Sequence, residues 1–271
     1  MRRARVNGVE LEYDTDGFGA AVMMINPVLA DGCRPLVAEP VLGEYQLISY
    51  HKRGWVGSTR TPAPVSVADH AADAVALLDH LRVPRAHVAG HSSGAAVAAQ
   101  LAQDARERVA TVTLLELSLL SVPSGEAFFQ QAGPAFEAYR SGDHERAFGL
   151  FMSVVSGMDW ERCRALLEAR ARGTVAQAVK DADRFFGVEL PSLGEWRFGT
   201  EQAAAIHQPV LSVVGSATRP LWIEVAEFLR TSLPDVEERV IHGVGHLLHL
   251  ERSEPVARAM TEFLQRHPIV A

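Results

Sequence analysis

The chain has 271 residues, with 26 Lys and Arg against 33 Asp and Glu, a formal net charge of −7 and 48% hydrophobic residues. At roughly 150 residues per domain, this length predicts one large or two ordinary domains whose core forms without metals or disulfides. The mild acidity and the scattered basic residues argue against nucleic acid or an anionic membrane as a partner. Two cysteines, no apolar signal segment and no apolar stretch of membrane-spanning length predict a soluble cytoplasmic protein.

The first part of the chain alternates apolar runs with amphipathic segments. A hairpin is predicted around Asn7-Gly8, because this dipeptide favours a two-residue turn. Short apolar runs predict buried strands at 21–25 and 46–50. A capping-box pattern that begins at Ser66 predicts the start of a helix.

The next segment contains a strand, a glycine-rich turn and a helix. A strand at 87–89 runs into Gly90-His91-Ser92-Ser93-Gly94 and an alanine-rich helix that reaches about Gln103. Another strand at 109–115 follows, with Glu116 at its carboxyl end. The later predicted elements are cap helices at 146–155 and 159–172, a strand at 209–214, a helix at 221–233, a strand at 236–241 and a helix at 253–266.

This order predicts an α/β fold with a mostly parallel central sheet flanked by helices. We expect residues 1–120 and 209–271 to form the core domain, because strands and helices alternate there. Residues 121–208 read only as helices and are predicted to form an inserted helical cap, or lid. Such a cap would lie over the carboxyl edge of the sheet, where open α/β sheets carry their sites.

The strongest motif is Gly90-His91-Ser92-Ser93-Gly94, a G-x-S-x-G sequence between a strand and a helix. A serine on such a sharp turn adopts a strained backbone, and the two glycines remove side chains that would clash there. The free N–H groups of the new helix favour negative charge at the same point. The alternative is a plain turn whose serine caps the helix, but the context favours a nucleophile at Ser92.

A serine nucleophile requires a base, normally a histidine held by an acid. His246 lies in Gly243-Val244-Gly245-His246, between the last strand and the last helix, from where it can reach the serine. His242 and His249 compete for the role, and the three together could suggest a metal site. The glycines between them break the required helix and no Cys or acidic ligand interleaves, so we expect no metal and no cofactor.

These motifs resemble the α/β-hydrolase superfamily over nearly the whole chain. The resemblance rests on the opening hairpin, the Arg53-Gly54 loop, the G-x-S-x-G turn, the helical insertion and the Gly-x-Gly-His loop. Many members carry an Asp in the loop after the penultimate strand, but Thr218 occupies that place here. Glu116, after the strand that follows the serine, is the remaining candidate, as in the similar zearalenone-lactonase-like enzymes. Its alternative role is a strand-end carboxylate that pairs with an Arg or caps a helix.

The resemblance also implies an oxyanion hole formed by two backbone N–H groups. One belongs to Ser93 and the other to the loop after the strand at 21–25. The family usually has His-Gly there, whereas this chain has Asn26-Pro27, and proline has no N–H. Val28 therefore matches the second donor. Trp222, just past the Thr218 loop, is a candidate substrate-binding residue.

The resemblance and the residues together predict a serine hydrolase of carboxylic esters or lactones, with a Ser92–His246–Glu116 triad and an acyl-enzyme. The aromatic residues of the cap suit an apolar or aromatic small-molecule substrate. Two other classes stay open: a non-hydrolytic enzyme on this fold (a haloperoxidase-like perhydrolase or a lyase), and a ligand receptor with a vestigial triad. The sequence also leaves a homodimer open.

Overall fold

The computed structural model describes residues 1–269 and contains one eight-stranded sheet. Its order is β1-β2-β4-β3-β5-β6-β7-β8. The strands are β1 (Arg2–Val6), β2 (Val9–Asp16), β3 (Ala21–Ile25), β4 (Gln46–Tyr50), β5 (Ala86–His91), β6 (Val109–Leu115), β7 (Val210–Gly215) and β8 (Val236–Ile241).

The sheet is mostly parallel, as the sequence predicts. β1 pairs with β2 and β2 with β4 in antiparallel fashion, and every pairing from β4 to β8 is parallel. The predicted hairpin at Asn7-Gly8 is confirmed, since both residues have positive φ (45° and 77°) and join β1 to β2. β3, β5 and β6 are buried along their whole length, because helices cover both faces of the sheet.

The helices fall into those that flank the sheet and those inserted between β6 and β7. The helices outside this segment are α1 (Arg34–Val37), α2 (Val67–His80), α3 (Ser93–Asp104), α11 (Pro220–Ser232), α12 (Leu248–Glu251) and α13 (Ser253–Arg266). The helices between β6 and β7 are α4 (Ser124–Arg140), α5 (His144–Ser156), α6 (Trp160–Arg170), α7 (Thr174–Lys180), α8 (Ala182–Arg184), α9 (Leu190–Glu195) and α10 (Thr200–Ala204), the last of which contacts α11.

The structure contains elements that the sequence analysis does not locate, namely the 17-residue α4 and several short helices. α1 and α12 were not predicted, because a single helical turn leaves no periodic pattern. A π-helical turn at Phe185–Glu189 joins α8 to α9 and has no recognisable sequence signal. The capping box at Ser66 is confirmed, with Ser66 and Asp69 each accepting the other's backbone N–H.

No helix within residues 1–269 is both long enough and apolar enough to cross a membrane. The packing is instead that of helices on a sheet. One large core lies between α2, α3 and the sheet and continues into the inserted helices, while a second cluster packs α13 against the other face.

Two glycines allow α3 to approach the sheet very closely. A Cβ atom at Gly94 would lie 2.2 Å from the carbonyl oxygen of Ile25 in β3. A Cβ atom at Gly90 would lie 2.2 Å from the carbonyl oxygen of Gly94. Both obstacles are backbone atoms, so a larger residue can be accommodated only by moving the helix away from the strand.

We expect Gly94→Ala to destabilise the protein strongly, by about 3 kcal/mol or more, because overpacking against backbone cannot relax by a rotamer change. Gly194→Ala is the matched control, since Gly194 in α9 is exposed and no atom lies within 4 Å of the added Cβ. The control should be neutral or stabilising by about 0.5–1 kcal/mol. Urea unfolding of both variants measures the difference, and equal midpoints would contradict this account of the turn.

Five buried histidines couple stability to pH. Burial is the main cause that lowers their pKa, to about 4 at His87, to about 3 at His246 and well below the usual value at the other three. The unfolded chain binds protons at these positions below pH 6.5 and the folded chain does not, so the free energy of unfolding decreases as the pH falls. The five are His70, His87, His91, His246 and His249.

We therefore expect the free energy of unfolding to fall by a few kcal/mol between pH 7.5 and 5.5, at about 1.4 kcal/mol per histidine per pH unit. The raised pKa values of Glu116 and His51 act in the opposite direction, but these two groups offset only part of the effect of the five histidines. Urea unfolding across this range measures the slope. His249→Leu should reduce this slope, whereas His207→Leu, at an exposed position, should leave it unchanged. A free energy of unfolding that does not vary with pH in the unchanged protein would contradict the expectation.

Candidate active site

Ser92 lies on the turn between β5 and α3 and has a strained backbone. Its φ and ψ are 55° and −119°, in a region that residues with a side chain rarely adopt. Its N–H donates to the carbonyl oxygen of Leu115 (3.0 Å), and its own carbonyl oxygen accepts from Ala95 (3.0 Å). These bonds to β6 and α3 hold the turn, so the hydroxyl projects from the carboxyl edge of the sheet.

Four neighbouring strands end at the same edge and supply the polar groups around Ser92. β5 leads to Ser92, β6 to Glu116, β7 to Thr218 and β8 to the loop that carries His246. The carboxyl ends of parallel strands meet at one edge, which is why residues far apart in the sequence become neighbours here.

His246 bridges the serine and the glutamate. Its Nδ1 lies 2.8 Å from Glu116 Oε2, and its Nε2 lies 3.2 Å from Ser92 Oγ. A carboxylate can only accept, so Nδ1 carries the proton and Nε2 is the acceptor for the serine hydroxyl. His242 and His249 make no such contact, so of the three competing histidines His246 alone joins the serine to an acid.

Glu116 follows β6 and has a positive φ of 43°, a second strained backbone in the site. Gly215 N–H donates to its Oε1 (2.8 Å), and the Thr218 hydroxyl donates to its Oε2 (2.9 Å). Together with His246, three donors surround this buried carboxylate. Thr218, in the loop after β7 where the resemblance led us to look for an Asp, thus supports the glutamate through its hydroxyl.

Burial changes the protonation of the acid and the imidazole. It raises the pKa of Glu116 to about 7, against the two hydrogen bonds from Gly215 and Thr218 that lower it. It lowers the pKa of His246 to about 3, so the imidazole is neutral near pH 7 and can accept a proton. A neutral imidazole between a hydroxyl and a carboxyl group is the arrangement that activates a serine nucleophile.

Two further rings fix the plane of His246. Trp222 stacks on the imidazole with ring centroids 3.8 Å apart and an interplanar angle of 7°. His91 Nε2 donates to the carbonyl oxygen of His246 (2.8 Å), and its ring lies 4.6 Å from the His246 ring. Sequence reasoning treated Trp222 as a pocket residue and did not identify the role of His91 as a neighbour of the imidazole.

Ser118 is a second residue that sequence reasoning did not identify. Its Oγ lies 3.0 Å from Ser92 Oγ, and its N–H donates to the carbonyl oxygen of Ser92 (3.2 Å). When Ser92 donates its proton to His246, the Ser118 hydroxyl is the donor to Ser92. The only sequence signal was its position two residues after Glu116.

Two small cavities border Ser92, each of about 20 Å³, which is little more than one water molecule occupies, and the second also borders His246. Ser118 borders the first cavity. Val28, Ser93 and Trp222 line it, so all three predicted binding residues border the serine. Its remaining walls are apolar side chains, mostly from the inserted helices, including Phe128, Phe151, Phe185, Leu190 and Leu193. A cavity of about 640 Å³ lies elsewhere, beside Val65, Gln100 and Trp196, and none of the predicted site residues borders it.

No group of three or more histidine, cysteine or acidic side chains in residues 1–269 is arranged to hold a metal ion. Cys33 and Cys163 are free and buried, and burial raises the pKa of the Cys33 thiol to about 12 and that of Cys163 to about 11.

Comparisons with known proteins agree with this architecture. A thermophilic esterase from Thermogutta terrifontis has a TM-score of 0.81 at 23% identity, covering 99% of this chain and 100% of that one. The enol-lactonase from Burkholderia xenovorans LB400 has a TM-score of 0.75 at 19% identity, covering 97% and 100%. At these identities the likeness shows the fold.

A curated relative is 28% identical over 193 residues, which is 71% of this chain and 49% of the relative. It is the dihydrolipoyllysine-residue acetyltransferase component of the acetoin cleaving system of Pseudomonas putida. The chain thus spans about half the length of that relative. The model of the alpha/beta hydrolase fold family matches residues 26–253, most of the chain. On this match and on the sheet order, the chain belongs to the α/β-hydrolase family.

Proposed function

We propose that the protein is a serine hydrolase that cleaves a carboxylic ester or a lactone. The observation that carries the proposal is the buried relay from Ser92 Oγ to His246 Nε2 (3.2 Å) and from His246 Nδ1 to Glu116 Oε2 (2.8 Å). This is the geometry of nucleophile, base and orienting acid that acyl transfer requires.

In the first half of the reaction, Ser92 Oγ attacks the carbonyl carbon and His246 Nε2 takes the hydroxyl proton. The carbonyl C=O bond becomes a C–O⁻ bond in the tetrahedral intermediate. Glu116 accepts from Nδ1–H throughout and stabilises the imidazolium that forms. His246 then returns the proton to the leaving oxygen, and the intermediate collapses to an acyl-enzyme on Ser92.

The oxyanion is assigned to the backbone N–H groups of Ser93 and Val28. Ser93 is the first residue of α3, so no earlier turn of the helix uses its N–H. Val28 follows Asn26-Pro27. Ser93 and Val28 both border the cavity at Ser92. Two such donors contribute about 3 kcal/mol each to the stabilisation of the transition state.

In the second half, water replaces the leaving alcohol. His246 takes a proton from the water, the hydroxide attacks the acyl carbon, and Ser92 recovers its proton as the acid leaves. In a lactone both halves of the substrate stay joined, so the product of the whole cycle is a single hydroxy acid. The triad requires no cofactor for either half.

The substrate class follows from the walls of the site. The cavity lining is predominantly aromatic and aliphatic, which suits an apolar or aromatic acyl group. Structural relatives that are named as an esterase and an enol-lactonase support the two alternatives, ester and lactone. A glutamate after the strand that follows the proposed nucleophile is the feature in which the protein resembles zearalenone-lactonase-like enzymes, and this resemblance supports a lactone as the substrate.

Residues 121–208 act in this proposal as a cap over the core formed by 1–120 and 209–271. A cavity of about 20 Å³ is too small for an ester of several carbon atoms. The cap helices must therefore move outward before substrate binds and close again around it, which also excludes bulk water from the acyl transfer step.

The central test replaces the triad residues. With p-nitrophenyl butyrate, we expect Ser92→Ala and Glu116→Gln to lower kcat by about 10⁴-fold or more, because the first lacks the nucleophile and the second no longer orients a charged imidazole. Glu107→Gln, an exposed acid before β6, is the matched control and should keep its activity.

Several outcomes would contradict the proposal. A single slow turnover by the unchanged protein would favour a ligand receptor. Ester turnover that survives Ser92→Ala would exclude the serine as nucleophile. Product analysis with and without peroxide separates hydrolysis from a perhydrolase reaction, since only the second forms a peracid.

A separate prediction concerns Thr218. Its hydroxyl donates to Glu116 Oε2, and a hydrogen bond to a charged group contributes about 1.5–3 kcal/mol. Thr218→Val keeps the shape and removes the donor, so kcat should fall by about tenfold or more, whereas Thr218→Ser should restore most of it. Equal rates for Thr218→Val and the unchanged protein would show that the hydroxyl does not support the acid.

A further inference from the structure

A second buried hydroxyl, that of Ser118, lies next to the proposed nucleophile. Ser118 Oγ is 3.0 Å from Ser92 Oγ, and Ser92 Oγ is the one hydrogen-bond partner of this hydroxyl among residues 1–269. The Ser118 N–H also donates to the carbonyl oxygen of Ser92 (3.2 Å), so the two residues are joined at the backbone as well. Ser118 is 6% exposed and borders the first of the two cavities at Ser92. Its hydroxyl is therefore held against the oxygen that reacts.

The contacts of the imidazole determine which serine is the donor. His246 Nδ1 donates to Glu116, so Nε2 is an acceptor, and the Ser92 hydroxyl 3.2 Å away is its donor. Ser92 has a single hydroxyl proton and uses it at Nε2, so the hydrogen bond between the two serines is donated by Ser118. The opposite order would leave the buried Nε2 without a donor and the Ser118 proton without an acceptor, which costs free energy at both atoms.

A donor at this position stabilises negative charge on Ser92 Oγ. This oxygen gains charge as it attacks the carbonyl carbon, and it gains charge again when it leaves the second tetrahedral intermediate. A hydrogen bond to an oxygen that becomes charged is stronger than one to a neutral hydroxyl, so Ser118 stabilises both transition states more than the resting state. The same donor polarises the Ser92 O–H bond toward the imidazole, because hydrogen bonds in a chain strengthen one another.

Ser118 keeps its own proton throughout the cycle. His246 Nε2 hydrogen-bonds to Ser92 Oγ, so the imidazole takes protons from Ser92 and from water and not from Ser118. The N–H groups of Ser93 and Val28 are assigned to the substrate oxygen, whereas the Ser118 hydroxyl contacts the enzyme oxygen. The proposed donors are thus divided between two of the oxygens bonded to the reacting carbon.

We propose that Ser118 is a further catalytic residue, which donates a hydrogen bond to Ser92 Oγ as this oxygen attacks the substrate and as it leaves the acyl group. No covalent bond of Ser118 forms or breaks, so the reaction keeps the balance of atoms and protons given above for the triad. The inference rests on the proposed function, since it concerns the same nucleophile and the same two half-reactions.

Ser118→Ala removes the donor without leaving a buried proton unpaired, since Ser92 still donates to His246. With p-nitrophenyl butyrate, we expect kcat and kcat/KM to fall together by about tenfold or more with KM unchanged, because the lost interaction belongs to the transition states. The pH dependence of kcat/KM should keep its inflection point, since the contact of His246 with Glu116 is retained. Ser118→Thr keeps the hydroxyl and should restore most of the rate.

Thr111→Val is the matched control for the loss of a buried hydroxyl. Thr111 lies near the start of β6, and its Oγ1 is 2.9 Å from His87 Nδ1, in a contact that the proposed mechanism does not use. We expect this variant to lose stability in urea unfolding, because it leaves a buried imidazole nitrogen without its partner. Its kcat should stay near that of the unchanged protein.

Each of the other results overturns the inference. A kcat of Ser118→Ala equal to that of the unchanged protein shows that the hydroxyl is not used. A raised KM with an unchanged kcat assigns the hydroxyl to substrate binding, and a shifted inflection point assigns its effect to the imidazole. A loss as large in Ser118→Thr or in Thr111→Val as in Ser118→Ala excludes the missing donor as the cause.

The proposed function fails on a different result. If the unchanged protein turns over no p-nitrophenyl butyrate, or if Ser92→Ala retains the turnover, the hydrolase proposal itself is wrong. If Ser92→Ala is inactive and Ser118→Ala is as fast as the unchanged protein, the hydrolase proposal stands and the role of Ser118 is overturned.

Discussion

The positive φ of Ser92 is the constraint on which the geometry of the site depends. It turns the chain from β5 into α3 within one residue and directs the hydroxyl away from the helix, toward the loop that carries His246. The turn exists because Gly90 and Gly94 let the helix approach backbone atoms of the turn itself and of β3. If the helix were displaced by the width of a methyl group, the 3.2 Å contact between serine and imidazole would be lost.

Glu116 and His246 both have hydrogen-bond partners in this buried site. Glu116 has three donors, and the imidazole has a partner at each nitrogen and a flat contact with Trp222. These partners come from the ends of β5, β6, β7 and β8 and from α11. The sheet therefore determines the spacing of the site, and the helices determine the orientation of its rings.

Local sequence patterns predict most of the strands and the position of the serine turn. Apolar runs bounded by Gly, Pro or Asn located the strands, and G-x-S-x-G located Ser92, because both signals involve residues that are close in sequence. The sequence points to Glu116 only indirectly, because the loop after β7 has no carboxylate. The neighbours Thr218 and Ser118 were not foreseen as hydrogen-bond partners, since side-chain contacts across strand ends leave no local pattern.

The ion pair between Lys52 and Glu189 could not be predicted from the sequence. The two residues are 137 positions apart, and Glu189 lies in a π-helical turn whose form depends on how the inserted helices pack. The spacing of aromatic and aliphatic residues in the insertion predicts amphipathic helices. It does not predict how these helices are placed on the sheet. Only the packed structure shows that Lys52 is buried next to Ser93 and pairs with Glu189.

The contact between Thr218 and Glu116 has a consequence for how such sites diverge. The two residues follow adjacent strands, and their side chains meet 2.9 Å apart next to the same imidazole. A carboxylate attached at either strand end could thus face His246 Nδ1 without displacing the serine or the histidine. The proposed acid could therefore be attached at either of two adjacent strand ends, with Ser92 and His246 left where they are.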